Sequence, residues 1–165
     1  DRPLPRWRRR FVEEPYFVHW LAVVFSPLLW LPVGVGLLPL RLGVFEWLPA
    51  SWLVAYLTIL PFTAWGVIWR RRRAQVRRFE VSLSGLAPSF DGYRIVHLSD
   101  LHVGSMTPRE LVMAWVDQAN RLAPDLVVIT GDYVTSGTAF HRDIAAALAP
   151  LRARDGVLAI MGNCY

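Results

Sequence analysis

Three short runs carry side chains suited to holding metal ions, and each follows an apolar stretch of strand length. Ser99-Asp100-Leu101-His102 follows Tyr93–Leu98, Gly131-Asp132 follows Leu126–Thr130, and Gly162-Asn163 follows Val157–Met161. Asp100 and His102, two residues apart on an extended turn, can point to one side and share an ion. A carboxylate beside an imidazole suits Mn, Fe or Zn better than Mg or Ca alone. A carboxylate such as Asp132 can bridge two ions, and the Asn163 carbonyl can cap the second. Ions about 3.5–4 Å apart clamp a phosphoryl group and activate water between them. Taken singly, each signal is weak, because Gly-Asp or Gly-Asn after a strand is often only a turn. Their order, each at a strand end, makes them specific.

The elements that must position these residues alternate. Leu111, Val112, Trp115, Val116, Ala119 and Leu122 lie at helical spacing over Pro108–Leu122, and Pro124-Asp125 ends that helix. A weaker helical pattern covers Arg142–Leu151. Phe79–Leu83 alternates as a strand would, Gly85-Leu86-Ala87-Pro88 breaks it, and Asp91-Gly92 marks a turn. Tyr93–Leu98 and Leu126–Thr130 read as buried strands. Strands alternating with helices predict an α/β unit with a largely parallel sheet. Ligands collect beyond the carboxyl ends of such strands, so Asp100, His102, Asp132 and Asn163 should converge on one edge. His97, inside a strand and out of phase with the ligand turn, reads as packed or hydrogen-bonded in the core. His141 precedes a helix and reads as a surface residue, Trp115 as core, and Asp125 as the shaper of a turn.

The run Asp91–His102 resembles the opening block of the calcineurin-like metallophosphoesterases. Pro124–Asp132 resembles their second block, and Gly162-Asn163 opens their third. The resemblance covers about residues 80–163. It implies a partial calcineurin-like αββα sandwich, of which this chain holds the first βαβαβ portion. It further implies that Asp100 and His102 hold the first metal, Asp132 bridges both and Asn163 binds the second. Two divalent ions, Mn, Fe or Zn, would then serve hydrolysis of a phosphodiester or pyrophosphate bond. The family's third block continues with His and then Asp or Glu, where this chain has Cys164 and Tyr165. In the family that His contacts phosphate. Losing a general acid commonly costs about 10²–10⁴-fold in rate. Cys164 is therefore a poor replacement, and no catalytic residue is assigned. A thiolate can bind zinc, but Cys164 has no partner cysteine.

Composition locates the rest. The 165 residues are 54% apolar and include eight Trp; all 18 basic residues are Arg, and the net charge is +5. Most of the Arg flanks apolar segments, where anionic lipid headgroups are nearer partners than nucleic acid, and no nucleic-acid partner is expected. Pro15–Leu40 and Trp47–Trp69 contain no Asp, Glu, Lys or Arg, and a spanning helix needs about 20 residues. Residues 1–78 are thus read as a membrane anchor with two transmembrane helices, about 16–40 and 47–69. Residues 79–165 are read as the N-terminal half of a phosphoesterase domain. Pro27, Pro32, Pro39 and Pro61 should kink or shorten the helices. The short Arg41–Glu46 connection favours a hairpin, with Trp20, Trp47, Trp65 and Trp69 near its ends. His19 reads as interfacial.

Arg6 and Arg8–Arg10 precede the first span, and Arg70–Arg73, Arg77 and Arg78 follow the second, whereas the loop has one Arg and one Glu. This asymmetry predicts a multi-pass protein of the inner membrane whose water-exposed part faces the cytoplasm. Arg8-Arg9-Arg10-Phe11-Val12 faintly resembles a twin-arginine signal, but Glu13 and Glu14 follow and no small-residue cleavage site is evident. The anchor is similar to that of the family's membrane-associated bacterial branch. That similarity implies membrane lipid as a partner and a lipid-linked phosphate ester, such as UDP-2,3-diacylglucosamine, among the substrates. The chain starts at Asp1 rather than Met and stops shortly after Gly162-Asn163. It is read as a truncated form that binds one metal weakly and catalyses little. The alternative is a non-catalytic, membrane-anchored interaction domain whose sheet edges pair with a partner.

Overall fold

The computed structural model describes residues 5–37, 44–135 and 137–162. Among these the chain divides into two compact units, Pro5–Arg73 and the residues from Ala74 onward.

The first unit is a pair of long helices, α1 (Glu14–Leu37) and α2 (Val44–Ala64). A turn at Arg6–Arg8 and a wider π-type turn at Arg9–Glu13 lead into α1; α2 runs on through Trp65–Trp69 and Arg70–Arg72. The stretches Arg6–Pro32 and Pro49–Arg72, 27 and 24 residues, are long and apolar enough to cross a membrane. Both helices run through prolines, Pro27 and Pro32 in α1 and Pro49 and Pro61 in α2. Pro27 has no N–H to give the Val23 carbonyl four residues back, and Ser26 Oγ donates to that carbonyl instead, at 3.0 Å. Pro39 and Arg41–Gly43 of the connection lie outside the described residues.

Glu14, Val18, Ala22 and Ser26 recur every four residues, so they form one stripe along α1. All four are buried, as is Ala55 of α2. Small residues along such a seam let two helices approach closely. Polar groups then link the helices along their length. Arg72 pairs with Glu14, His19 Nδ1 lies 2.9 Å from the Tyr56 hydroxyl, and Trp30 Nε1 donates to Ser51 Oγ at 2.9 Å.

The second unit contains β1 (Ile95–Leu98), α3 (Arg109–Arg121), β2 (Leu126–Thr130), α4 (His141–Leu148) and β3 (Val157–Ile160). The three strands form a parallel sheet in the order β1-β2-β3, with Ile95 opposite Leu126 and Val127 opposite Val157. Two crossovers of one hand, stepping the same way across a sheet, leave their helices on one face. The core agrees: Val127 and Ile129 of β2 cluster with Val112 of α3 and with Ile144 and Ala147 of α4. Val103, Val112, Val127 and Val134 are fully buried there, each contributing on the order of 1.5–3 kcal/mol.

Three expectations need correction. The strands are not buried on both sides, since the face opposite the helices is open among the described residues. Ile95, Leu158 and Ile160 are 59%, 59% and 61% exposed. An apolar run cannot say whether one or two faces are covered. Phe79–Leu83 also forms no strand. Its Phe79, Val81 and Leu83 are exposed, because alternation supplies a pattern but a strand needs a neighbour, and none of the described residues pairs with it. The second helix stops at Leu148 rather than Leu151, since Pro150 has no N–H to extend the ladder.

Candidate metal centre

The loops after β1 and β2 stay joined beyond the ends of their strands. His102 N donates to the Asp132 carbonyl at 2.9 Å, Val103 N to the Tyr133 carbonyl at 2.9 Å, and Thr135 N to the Val103 carbonyl at 3.0 Å. Val103 and Val134 form a further parallel bridge. Leu101, Val103 and Val134 are buried in the core, which anchors both loops and leaves Asp100 and His102 toward the surface.

The backbone here is unusual. Asp100, His102 and Asp132 have φ of 55°, 43° and 49°, in the left-handed region that Asp and His tolerate better than most residues. Each such residue costs roughly 1–2 kcal/mol, and strain of this kind persists where the surroundings hold it, often at functional sites. The turn is therefore left-handed rather than extended, as the spacing alone suggests. Gly131, at φ 81°, is required by close packing: a Cβ there would come 2.5 Å from Gly162 Cα. Gly162 in turn abuts Asp132, so the chain after β3 passes beside the turn after β2. Asn163, Cys164 and Tyr165 lie outside the described residues.

The structure brings Asp100, His102 and Asp132 together, with one ligand atom of each within 4.8 Å of the others. His102 Nε2 lies 3.8 Å from Asp100 Oδ1 and 3.6 Å from Asp132 Oδ2. Both separations are too long for hydrogen bonds. Two metal–ligand bonds of about 2.0–2.2 Å span at most about 4.3 Å, so His102 can share one cation with either carboxylate. The donor set fits a divalent first-row ion. Ser99 Oγ donates to Asp100 Oδ2. The Asp132 carboxylate is the most enclosed and that of Asp100 the most exposed, so the cluster is open on the Asp100 side.

The other candidates fall elsewhere. His97 Nε2 is 2.6 Å from Thr130 Oγ1; it is hydrogen-bonded as expected, but on the open face rather than in the core. His141 begins α4 and is exposed, Trp115 packs against the core, and Asp125 Oδ2 accepts a bond from Arg94 N at 2.7 Å. Sequence reasoning missed two hydroxyls that tie the loops together. Tyr133 OH donates to the Ile160 carbonyl at 3.0 Å, and Thr135 Oγ1 to that of His102 at 3.1 Å. Their signal was alternation after Gly131-Asp132, where Val134 is the inward residue.

Residues 93–164 match the family described as calcineurin-like phosphoesterase, and all three clustered residues fall within that match. The C-terminal part of this chain is thus similar to a calcineurin-like metallophosphoesterase domain. It is similar to a bovine (Bos taurus) protein described as a transmembrane protein with metallophosphoesterase domain. That similarity is 34% identity over 110 residues, 65% of this chain and 25% of the relative. A Danio rerio protein of the same description is 32% identical over 99 residues, 60% of this chain and 23% of its own length. An uncharacterized metallophosphoesterase of Bacillus subtilis (strain 168) is 35% identical over 83 residues, 48% of this chain and 29% of its own length. The chain thus spans about a quarter of the length of these curated relatives. No solved structure matches. Similarity to a metallophosphoesterase domain implies divalent metal ions, which the Asp100, His102 and Asp132 donors fit.

Proposed function

We propose that this chain supplies the first half of a two-metal site that hydrolyses a phosphodiester or pyrophosphate bond beside a membrane. The observation that carries the reading is the convergence of Asp100, His102 and Asp132 within 4.8 Å on left-handed backbone at the strand ends of a metallophosphoesterase domain. In this reading Asp100 and His102 would hold one ion, Asp132 would serve both, and Asn163 would hold the second. A pair of Mn, Fe or Zn ions, when bound, would supply Lewis acidity and an activated water. His102 must be neutral to donate from Nε2, and both carboxylates must be ionised. The open Asp100 side admits the phosphate ester. Cys164 stands where the family carries its phosphate-contacting histidine.

Two helices able to span a bilayer tether this site by sequence to lipid. That favours a phosphate ester carried on a lipid, with UDP-2,3-diacylglucosamine as one example. The relatives described as transmembrane proteins support the anchor. The Arg-rich flanks support a multi-pass topology in the inner membrane with the phosphoesterase part in the cytoplasm.

The test is hydrolysis of bis-p-nitrophenyl phosphate with added Mn²⁺. It compares this chain, a form carrying the coding sequence that follows Tyr165, and Asp132→Ala in that form. Activity concentrated in the longer form and abolished by Asp132→Ala is the expected result. Folded proteins that neither bind metal nor hydrolyse the ester would leave a membrane-anchored interaction domain instead.

A further inference from the structure

We infer that Thr135 and Tyr133 are positioning residues that hold the two neighbouring ligand loops in place, an assignment that rests on the metal-centre reading above. Beyond Asp132 the chain sends alternate hydroxyls in opposite directions. Thr135 Oγ1 donates to the His102 carbonyl at 3.1 Å and lies 3.4 Å from the Val103 carbonyl, while Thr135 N donates to the latter at 3.0 Å. A hydroxyl has one proton, so the two carbonyls share it. The effect is to pin the peptide on the carboxyl side of His102, a residue held at φ 43° whose ring is a candidate ligand. Groups that orient ligands in this way tune metal affinity although they do not touch the ion.

Gly104 provides the space for this bond. A Cβ at Gly104 would come 3.0 Å from Thr135 Cβ and closer still to Oγ1, so a larger residue there displaces the hydroxyl. On the other side, Tyr133 OH donates at 3.0 Å to the carbonyl of Ile160, the last residue of β3 and two residues before Gly162. One loop therefore fixes the strand end on each side of it.

The experiment uses the full chain in lipid nanodiscs and reads Mn²⁺ affinity by electron paramagnetic resonance, the melting temperature, and amide hydrogen exchange at His102–Gly104. Thr135→Val keeps the shape and removes the hydroxyl. It should weaken Mn²⁺ binding about tenfold, speed exchange at those amides and leave the melting temperature within about 2 °C. Thr135→Ser should restore affinity to within about threefold, because it returns the donor. Gly104→Ala should reproduce Thr135→Val. Native Mn²⁺ affinity and native exchange in Thr135→Val would overturn the assignment. If the native chain binds no more Mn²⁺ than Asp132→Asn, the metal reading fails by itself. Exchange then decides whether Thr135 holds the loop, with faster exchange in Thr135→Val supporting that role and unchanged exchange overturning it.

Discussion

The two edges of the small sheet both gather charged side chains, yet they treat them in opposite ways. At the amino-terminal edge, Arg154 bonds Asp155 through Nε and NH2, each at 3.1 Å, and reaches Asp125 at 2.9 Å. Tyr93 OH donates to Asp155 Oδ2 at 2.7 Å, Arg94 N to Asp125 Oδ2 at 2.7 Å, and Asp155 N to the Asp125 carbonyl at 2.7 Å. Donors there meet acceptors, and segments preceding all three strands are tied into one network. At the carboxyl-terminal edge two carboxylates and an imidazole face one another at 3.6 and 3.8 Å, beyond hydrogen-bond range, on strained backbone. A completed network holds strands together. A cluster whose geometry suits a cation better than it suits its own members is where a ligand belongs.

The largest expected effect separates the edges by function. Asp132→Asn should weaken Mn²⁺ binding by about 100-fold or more, since it removes a ligand rather than a supporting group. Asp125→Asn, at the other edge, should leave Mn²⁺ affinity within about twofold while lowering the melting temperature. Equal losses in the two variants would break the comparison.

Next comes packing at the ligand edge. Gly131→Ala places a Cβ against Gly162 at a φ of 81°, and should destabilise the domain by about 2–4 kcal/mol in urea denaturation. A smaller effect follows at the paired edge. The hydrogen bond from Arg154, then that from Tyr93, holds the Asp155 carboxyl below its ordinary value of 3.8. Its stabilising contribution is present above that value and is lost as pH falls through the lower folded one. Asp155→Asn should therefore melt below the native protein at neutral pH, with the difference fading below about pH 3.8.

The smallest effect is expected at Tyr93, whose hydroxyl is held above its ordinary value of 10.0, chiefly by the hydrogen bond to Asp155. Its contribution is intact below pH 10.0 and is lost as pH rises through the higher folded value. Tyr93→Phe should lower the melting temperature slightly at neutral pH and lose that difference in strong alkali. A Tyr93→Phe penalty that persists there would point to ring packing rather than to the hydroxyl.

The gathering of Asp100, His102 and Asp132 at one edge was legible in sequence because strand ends mark it locally. Leu126–Thr130 was placed to the residue, and the Asp or Gly that ends each apolar run marks the turn where ligands collect. Helix α3 differs from its predicted range by one residue at each end, since Val112, Val116 and Ala119 occupy one buried stripe. What stayed hidden depends on partners distant in sequence. The open face at Ile95, Leu158 and Ile160 follows from both helices crossing on one side, and the unpaired Phe79–Leu83 from the absence of a neighbouring strand among the described residues. The left-handed φ at Asp100, His102 and Asp132 arises from buried Leu101 and Val103 and the bonds between loops, none of which a spacing reveals. The links from Tyr133 and Thr135 likewise need the strand order before they can be seen.

The most direct test of a shared cation is pulsed electron paramagnetic resonance on the Mn²⁺-loaded chain with ¹⁵N-labelled histidine. The account predicts coupling to one histidine nitrogen, lost in His102→Ala and retained in His97→Ala and His141→Ala. Coupling that survives His102→Ala, or bound Mn²⁺ with no histidine coupling at all, would contradict it.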